Sequence, residues 1–463
     1  MKTCLTRILA LLLVMMLFVG CSLLEIQPDS SDKLLNGVEL IDYTIVYSTE
    51  APDYCERAAK YIQKEIKNRT GLQLSVCKAE EGTYDHEILV GDTDRALSDE
   101  VEPQSLNMEF YFTADDNHIA MDGDYFIIAA AAYYFVETYI PGSSFDSAIA
   151  KNEVTACQPI TKEAKNFIFL IGDGMGVEHT KTLEVYDLER IIKQQALIGR
   201  DIVLENCDKE SIFYGYYLPY QGKLRTDSVS GTTDSAASAT ALATGFKTEN
   251  GYVGIDQYGV EKQSLTELAA SLGKATAVMS TEVQTGATPG GFSAHTDSRD
   301  NSQEIIDDQI SLTEQYGTII QCDLTTNPKF EAVISGVLNK LGQDEDGFFL
   351  MYEEAYIDKN SHENNLSKMV SCVGRFNQAI GVFMEYAFYH PETMLLITAD
   401  HETGSLAMGE DGQYWFNSTG HSSADVPIFA YGQGAEVFKD YYEENNEVPK
   451  EIAAMWGVDN FGG

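Results

Sequence analysis

The run Asn166–Gly172 (NFIFLIG) is apolar at successive positions, so it does not fit a strand with one face in water. Such runs are typical of parallel strands that helices cover on both faces. From Asn166 onward, similar runs alternate with helical patterns, which predicts an α/β fold: a three-layer α/β/α sandwich with a mostly parallel sheet. The other predicted strands are Ser211–Leu218, Thr276–Ser280, Gly347–Tyr352, Thr393–Thr398 and Val426–Tyr431. The predicted helices are Ser264–Leu272, Asn301–Tyr316, Phe330–Leu341, Leu366–Phe388 and one that begins at Ser235.

Metal-ligand residue types follow several of these strands directly. Asp173 ends the first run, Glu353 follows Gly347–Tyr352, and Asp400-His401 closely follows Thr393–Thr398. Sheets of this kind place their ligands outside the carboxyl ends of the strands. Carboxylates and imidazoles bind divalent cations. We therefore expect a metal centre at this edge, although an Asp-Gly turn after a strand is by itself more often only a turn.

Two further histidines have acidic or strand-end neighbours. Asp358 and His362 are four residues apart, so they would share one face of a helix or turn and can chelate one ion. His421 precedes the strand Val426–Tyr431 and supplies a last nitrogen. The alternative, a solvated acidic loop, suits Glu354 better than Asp358.

The stretch Gly231–Gly245 joins a polar turn to a run of small helix formers, with Ser235 at the junction. A serine there lies at a helix N-terminus, where free N–H groups and the positive end of the dipole favour an anion. The simpler interpretation is that Asp234 or Ser235 caps the helix. The two interpretations are compatible, and the nearby metal-ligand residues give a serine nucleophile its activator.

The chain of 463 residues has 31 Lys and Arg against 72 Asp and Glu, a net charge of −41. This charge excludes nucleic acid and an anionic membrane surface as partners. Such acidity suits an extracytoplasmic protein that holds divalent cations, because bound metals reverse the local field for an anionic substrate.

Residues 1–20 have the pattern of an export signal, with Lys2 and Arg7 before an apolar run. The segment ends in Leu17-Phe-Val-Gly-Cys21, which resembles a bacterial lipobox, except that Phe18 stands where leucine is usual. We expect Cys21 to be the lipidated mature N-terminus, residues 22–40 to be a spacer, and the protein to be anchored outside the cytoplasm on the bacterial cell membrane. Ordinary signal cleavage and secretion is the alternative.

Residues 41–150 have the pattern of a small α+β domain, followed by a linker over 151–165. The predicted strands are Tyr43–Ser48, Leu72–Cys77, Glu87–Gly91, Glu109–Ala114 and His118–Asp122, and the predicted helices are Pro52–Thr70 and Asp124–Tyr139. Thr70-Gly71, Ile88–Arg95 and Tyr133–Gly142 resemble features of the small N-terminal domain of α-glucuronidase-type glycoside hydrolases. That resemblance implies proximity to a glycan, and a packing module or spacer is the alternative.

Besides Cys4 and Cys21, the chain has six cysteines, and none of them forms a Cys-x-x-Cys pair. This spacing argues against a zinc site with thiolate ligands. Export permits disulfides. We expect Cys55 to pair with Cys77, since both lie in one small domain, but sequence does not determine connectivity. The six are Cys55, Cys77, Cys157, Cys207, Cys322 and Cys372.

Taken together, the motifs from Asn166 to Gly434 resemble the alkaline phosphatase family. The resemblance implies a phosphomonoester hydrolase, with Ser235 phosphorylated and dephosphorylated in turn and small phosphomonoesters as substrates. It implies Arg299 as the clamp on the phosphoryl oxygens, Lys359 as a water-mediated phosphate contact, and Asp234 as the residue that orients the serine and the arginine. It also implies metal ligands: Asp358, His362 and His421 for one zinc, Asp400 and His401 with Asp173 for a second, and Asp173, Thr288 and Glu353 for a magnesium.

The chain departs from the family pattern in two places. Gly286 stands where members often carry aspartate or histidine, two residues before Thr288, which leaves the identity of the third metal open. The segment between Arg299 and Glu353 is short for the family, so a homodimer is possible but not assumed. A phosphodiesterase or sulfatase of the same superfamily is the alternative function, and a non-catalytic surface lipoprotein that binds glycan or metal is a more distant one.

Overall fold

The computed structural model describes residues 30–49, 52–101, 108–186, 212–325, 327 and 329–463. The chain forms two compact units, and the division falls between Cys157 and Gln158. The proposed signal, residues 1–20, and Cys21 lie outside the described residues, as does Cys207. Within the described ranges, every helix is too short or too polar to cross a membrane.

The first unit contains a mixed six-stranded sheet and two long helices. In spatial order its strands are Ser75–Lys78, Thr44–Tyr47, Glu87–Val90, His118–Gly123, Phe110–Ala114 and Thr155–Cys157. The first four are parallel, and Phe110–Ala114 is antiparallel to both of its neighbours. The helices are Pro52–Thr70 and Ile127–Tyr139, with 3₁₀ turns at Leu40–Asp42, Ala79–Glu81 and Ser98–Val101.

The first unit extends past both boundaries expected from the sequence. Lys33–Leu35, in the expected spacer, pairs with Val38–Glu39 and with Phe145–Ser147. Thr155–Cys157, in the expected linker, pairs with Phe110–Ala114. These strands are two or three residues long, too short to show an alternating pattern, and their main partners lie far away in the sequence.

The expected Cys55–Cys77 disulfide is wrong, because both thiols are free. Cys55 Sγ lies against Gly91, just after the strand Glu87–Val90. Cys77 lies on Ser75–Lys78, on the far side of Thr44–Tyr47. Two strand spacings of about 4.8 Å each separate the two positions, more than a disulfide can span.

The second unit is built on an eight-stranded sheet, which confirms the α/β class. In spatial order the strands are Ile319–Gln321, Ala275–Ser280, Phe348–Glu354, Asn166–Gly172, Thr393–Thr398, Val426–Tyr431, Tyr220–Arg225 and Tyr442–Glu444. Every residue of Asn166–Gly172 and Phe348–Glu354 is buried, as expected for strands covered on both faces. The helices are Val177–Val185, Ser235–Thr244, Leu265–Ser271, Ala287–Gly291, Ser302–Tyr316, Phe330–Leu341, Tyr356–His362, Leu366–Tyr389 and Val448–Met455.

One strand of this sheet runs against the other seven. Val426–Tyr431 is antiparallel to both neighbours, Thr393–Thr398 and Tyr220–Arg225. Its first residue therefore lies at the edge where the parallel strands end. His421, which precedes that strand, is thereby brought to the same edge as Asp173 and Asp400. Residues before it also form short ribbons, Glu402–Thr403 with His421–Ser422 and Leu406–Met408 with Tyr414–Phe416.

The predicted strand Ser211–Leu218 is wrong. Ser211 lies outside the described residues, and Tyr214–Tyr217 forms a 3₁₀ turn whose first N–H donates to Asn377 Oδ1 at 2.6 Å. The strand begins at Tyr220 instead. The aromatic residues of this segment fill the core from a turn, whereas the true strand is polar and its sequence pattern is weak.

The helix that carries Ser235, Ser235–Thr244, is buried at all ten positions and packs against Ala287–Gly291. A Cβ at Gly291 would lie 2.8 Å from Ala239 Cβ and 3.1 Å from the Ala239 carbonyl carbon. The small side chains along the serine helix therefore allow a close approach that fixes the position of Thr288 beside it.

We predict that Gly291→Ala lowers the free energy of unfolding by about 1–3 kcal/mol, because the added methyl group overpacks this contact. Gly336→Ala is the matched control, since nothing lies within 4 Å of its Cβ position in the exposed face of Phe330–Leu341. It should raise stability by about 0.5–1 kcal/mol. Chemical denaturation measures both, and an unchanged Gly291→Ala protein would contradict the prediction.

Candidate active site

Ser235 is the first residue of its helix, and Asp234 is the N-cap. The Asp234 carboxylate accepts a hydrogen bond from Ala237 N at 3.0 Å, so the capping role predicted for this junction belongs to Asp234. The Ser235 side chain is left free of capping and is almost fully buried. Its Oγ lies 3.2 Å from Nε2 of His401. The serine therefore faces the residues at the carboxyl edge of the sheet.

Gly174 lets two of these segments approach each other. It has a φ of +73°, and a Cβ there would lie 2.8 Å from both Cα and Cβ of Asp358. Its N–H donates to Asp400 Oδ1 at 3.0 Å, and the N–H of His401 donates to the same oxygen at 2.9 Å. Asp400 Oδ1 is thus fully engaged, and Oδ2 points away from these donors.

Each of three histidines has its Nδ1 occupied by a protein partner. Nδ1 of His362 lies 2.5 Å from the Thr419 carbonyl, and Nδ1 of His421 lies 2.8 Å from the Thr233 carbonyl. Since a carbonyl only accepts, both Nδ1 atoms carry the proton. Nδ1 of His401 lies 3.2 Å from Thr403 Oγ1, whose hydroxyl donates to Asp358 Oδ1, so it too is the donor. In their neutral forms all three histidines therefore present an Nε2 lone pair, the form in which imidazole binds a metal.

The first group of ligands is formed by Asp358, His362 and His421. The Nε2 atoms of the two histidines are 3.0 Å apart, and Asp358 Oδ1 lies 3.3 Å and 3.5 Å from them. Asp358 and His362 lie on one short helix, Tyr356–His362, as their spacing predicts. Two lone pairs and a carboxylate oxygen that converge in this way require a cation or a proton between them.

The second group is formed by Asp173, Asp400 and His401. His401 Nε2 lies 3.2 Å from Asp400 Oδ2 and 3.6 Å from Asp173 Oδ1. His401 also lies within ligand distance of Asp358 and His421, and its ring stacks on that of His421 with centroids 3.6 Å apart. The two groups are therefore adjacent, with Ser235 Oγ beside His401 of the second group.

Glu353 lies near the end of the neighbouring strand, Phe348–Glu354, and Thr288 lies on the helix Ala287–Gly291. Glu353 and Thr288 are fully buried, and Ser280 donates a short hydrogen bond to Glu353 Oε2. Four buried oxygens of the predicted metal ligands have no hydrogen-bond partner among the described residues. These atoms are Asp173 Oδ1, Asp400 Oδ2, Glu353 Oε1 and Thr288 Oγ1.

The electrostatics of the cluster favour positive charge. Burial raises the pKa of Asp173 well above its usual range, and the charges of Asp400 and Asp358 raise it further. Burial alone would lower the pKa of His421, but the hydrogen bond and charge of Asp358 raise it. Burial lowers the pKa of His401, which keeps that imidazole neutral. Buried carboxylates without a counter-ion are costly, so divalent cations fit this donor set.

Arg299 is the cation beside the serine. Its Nη1 donates to Asp234 Oδ2 at 3.0 Å, so one carboxylate caps the serine helix and orients the arginine. Lys359, on the helix that bears Asp358, donates through Nζ to Glu282 Oε2 at 2.5 Å. The structure therefore brings the residues predicted for the two zinc positions together in adjacent groups and places Arg299 beside the serine helix. It pairs Lys359 with Glu282, a residue that the sequence did not single out.

The family model for alkaline phosphatase matches residues 164–336 and 313–418, more than half of the chain. The chain belongs to the alkaline phosphatase family. It is accordingly a hydrolase of that superfamily, whose members bind metals.

The curated alkaline phosphatases that the chain resembles match it in part. Alkaline phosphatase 3 of Bacillus subtilis is 29% identical over 60% of this chain and 70% of its own length. Alkaline phosphatase 4 of the same organism is 27% identical over 54% of this chain and 64% of its own. The Escherichia coli alkaline phosphatase is 37% identical over 30% of this chain and 27% of its own. The chain thus spans less than two thirds of the last two relatives.

Solved alkaline phosphatase structures support the fold. The enzyme of the Antarctic bacterium TAB5 is 25% identical with a TM-score of 0.53, covering 64% of this chain and 99% of its own. A mutant of that enzyme, with Mg bound in its M3 site, has a TM-score of 0.51 and covers 66% of this chain and 99% of its own. A cold-active enzyme from Shewanella sp., 22% identical over 63% of this chain and 99% of its own, shares the fold with a TM-score of 0.53.

Sequence reasoning missed two residues of this alkaline phosphatase site. Thr403 orients His401 and donates to Asp358, but a threonine two residues after a histidine carries no distinctive signal. Glu282 follows the strand Ala275–Ser280 by two residues, as Asp400 follows Thr393–Thr398. Its position two residues after a strand of the sheet could have identified Glu282 from the sequence. His179 is fully buried with Nε2 3.2 Å from Ser361 Oγ, outside the ligand groups.

Proposed function

We propose that this chain is a metal-dependent phosphomonoester hydrolase that releases phosphate through a phosphoserine on Ser235. The observation that carries the proposal is the distance of 3.2 Å between Ser235 Oγ and Nε2 of His401, a residue of the second ligand group that also lies close to Asp358 and His421 of the first. A serine hydroxyl needs an activator to act as a nucleophile, and two adjacent cation sites beside it would supply one.

The donor chemistry suggests two Zn²⁺ and one Mg²⁺. Mixed nitrogen and oxygen ligands suit zinc, and an all-oxygen set suits magnesium. The four buried oxygens without partners fit this assignment, because an ion would satisfy each of them. Zinc would be held by Asp358, His362 and His421 at one position and by Asp173, Asp400 and His401 at the other, and magnesium by Asp173, Thr288 and Glu353.

When bound, paired zinc ions supply Lewis-acid stabilisation of the attacking and leaving oxygens of an in-line displacement. Ser235 Oγ gives up its proton and attacks phosphorus, and the phosphorus–oxygen bond of the ester breaks. The departing oxygen takes up a proton and leaves as the alcohol. A water then attacks the phosphoserine, which releases inorganic phosphate and restores the hydroxyl. The N-terminus of the serine helix adds free N–H groups next to the developing negative charge.

Arg299 would bind the phosphoryl oxygens in a bidentate manner. Its planar guanidinium matches phosphate geometry, and Asp234 holds it through Nη1. Both Asp234 and Asp173 raise the pKa of Arg299 although burial opposes this, so the side chain stays charged. An arginine that clamps terminal oxygens favours monoesters, since a diester has fewer such oxygens to bind.

The sequence is the basis for our proposals on the location, substrates and oligomeric state of the enzyme. We infer export, with a lipid anchor at Cys21 or secretion as the alternative, and small phosphomonoesters as substrates. A homodimer is compatible with this proposal and is not required by it. The first unit, with its pattern similar to the N-terminal domain of α-glucuronidase-type enzymes, would act near a glycan or as a spacer.

We predict that Ser235→Ala lowers phosphomonoester turnover by about a thousand-fold or more, because the nucleophile is lost. Zinc should still raise the thermal unfolding midpoint of the variant, since Ser235 is not among the proposed ligands. That second measurement separates loss of the nucleophile from loss of the site. Unchanged hydrolysis would refute the phosphoserine route.

A substrate panel tests the reaction class. With zinc and magnesium supplied, we expect an aryl phosphate to be hydrolysed with a higher kcat/KM than a bis-aryl phosphate or an aryl sulfate, because Arg299 binds terminal phosphoryl oxygens. Faster diester or sulfate cleavage would favour the alternative enzymes of the superfamily. No turnover of any of the three by the metal-loaded protein would favour the non-catalytic alternative.

A further inference from the structure

The side chain of Glu282 occupies the space that Gly286 leaves open. A Cβ at Gly286 would lie 1.8 Å from Glu282 Oε1 and 2.1 Å from Glu282 Cδ. The backbone of Gly286 has a φ of −61° and a ψ of 159°, which any residue adopts. The glycine is therefore required by the position of the Glu282 carboxylate and not by the backbone.

Glu282 is held firmly for a residue in a loop. Its N–H donates to Ser280 Oγ at 2.9 Å, and its carbonyl accepts from Asp323 N at 2.6 Å. The side chain is only 11% exposed, and its Oε2 accepts the hydrogen bond from Lys359 Nζ at 2.5 Å. Ser280 in turn donates to Glu353, so Glu282 is one hydrogen-bonded residue away from a proposed magnesium ligand.

The start of this loop is fixed to the sheet by a buried ion pair. Thr281 N donates to the Glu353 carbonyl at 3.0 Å, and Thr281 Oγ1 donates to Glu354 Oε1 at 3.2 Å. Arg375 donates from Nε to Glu354 Oε2 at 2.7 Å and from Nη2 to Oε1 at 2.5 Å. A buried bidentate pair of this kind fixes geometry, so the loop places Glu282 in one position.

The third set of ligands contains only oxygens. Asp173, Thr288 and Glu353 provide carboxylate and hydroxyl groups, and Gly286 adds no nitrogen. Glu282 is connected to this set because Ser280 Oγ accepts from the Glu282 N–H and donates to Glu353 Oε2. An all-oxygen set of this kind suits a hard cation.

We propose that Glu282 supplies, from four residues upstream, the carboxylate that the chain lacks at Gly286. It positions Lys359 and supports the all-oxygen third site to which the proposed function assigns Mg²⁺. The proposal rests on the metal assignment of the proposed function. Glu282 is a positioning residue here, because it acts through Lys359 and, by way of Ser280, through Glu353.

Magnesium binding by the zinc-loaded protein tests this proposal without reference to turnover. All variants are made in the Ser235→Ala background and titrated with MgCl₂ by calorimetry, with magnesium content checked by elemental analysis. Glu282→Ala should weaken magnesium binding by about 10–100-fold, the usual effect of removing a residue that supports a metal ligand. Glu314→Gln, an exposed change of one charge on Ser302–Tyr316, is the control and should leave the Kd unchanged.

The sharper test moves the carboxylate. Gly286→Asp alone should destabilise the protein, because its Cβ would collide with Glu282. Glu282→Ala combined with Gly286→Asp should restore both stability and magnesium affinity toward the starting values. The loss in the double variant should therefore be smaller than the sum of the losses in the two single variants. Unchanged magnesium affinity in Glu282→Ala, or a double variant no better than either single one, would overturn the proposal.

The outcome can be separated from that of the proposed function. If the protein with Ser235 intact forms no phosphoserine but Glu282→Ala still weakens magnesium binding, the metal-site inference stands and the reaction is wrong. If phosphoserine forms and the magnesium Kd is insensitive to Glu282, the reaction stands and this inference is wrong.

Discussion

The second unit depends on one electrostatic constraint, the need to neutralise a buried cluster of carboxylates and histidine lone pairs. Asp173, Asp400 and Glu353 each bury an oxygen with no hydrogen-bond partner among the described residues. His362 and His421 aim lone pairs at each other because backbone carbonyls occupy their other nitrogens. Such a cluster is unfavourable alone and becomes favourable around divalent cations. The same cations would reverse the field of a chain with a net charge of −41 where an anionic substrate must enter.

The fold meets this constraint by gathering distant segments at one edge of the sheet. The parallel strands deliver Asp173, Glu353 and Asp400 at their carboxyl ends. The single reversed strand, Val426–Tyr431, delivers His421 from its opposite end. Close packing then sets the distances, because Gly174 admits Asp358 and the small residues of the serine helix admit Ala287–Gly291. Backbone geometry and small side chains thus determine how closely the ligand residues approach one another.

Much of this arrangement could be predicted from the sequence, since buried strands and the residues after them have a strong local signal. Asp400-His401 and the i, i+4 pair of Asp358 and His362 are of this kind. The prediction from sequence was wrong where an element is formed by contacts with distant parts of the chain. Thr155–Cys157 is a strand only because a distant partner pairs with it. The aromatic segment Ser211–Leu218 has the stronger strand pattern, but the strand is the polar segment Tyr220–Arg225 that follows it. The sequence shows that Gly286 lacks the aspartate or histidine side chain common in the family, but only the structure shows that the Glu282 side chain occupies this space.

The most direct test of the central claim is anomalous diffraction at the zinc absorption edge from crystals of the protein grown with zinc. The account predicts two adjacent peaks. One should lie about 2.0–2.1 Å from Nε2 of His362 and His421, and the other at the same distance from Nε2 of His401. A cluster without anomalous density, or zinc bound only at surface carboxylates, would contradict the account.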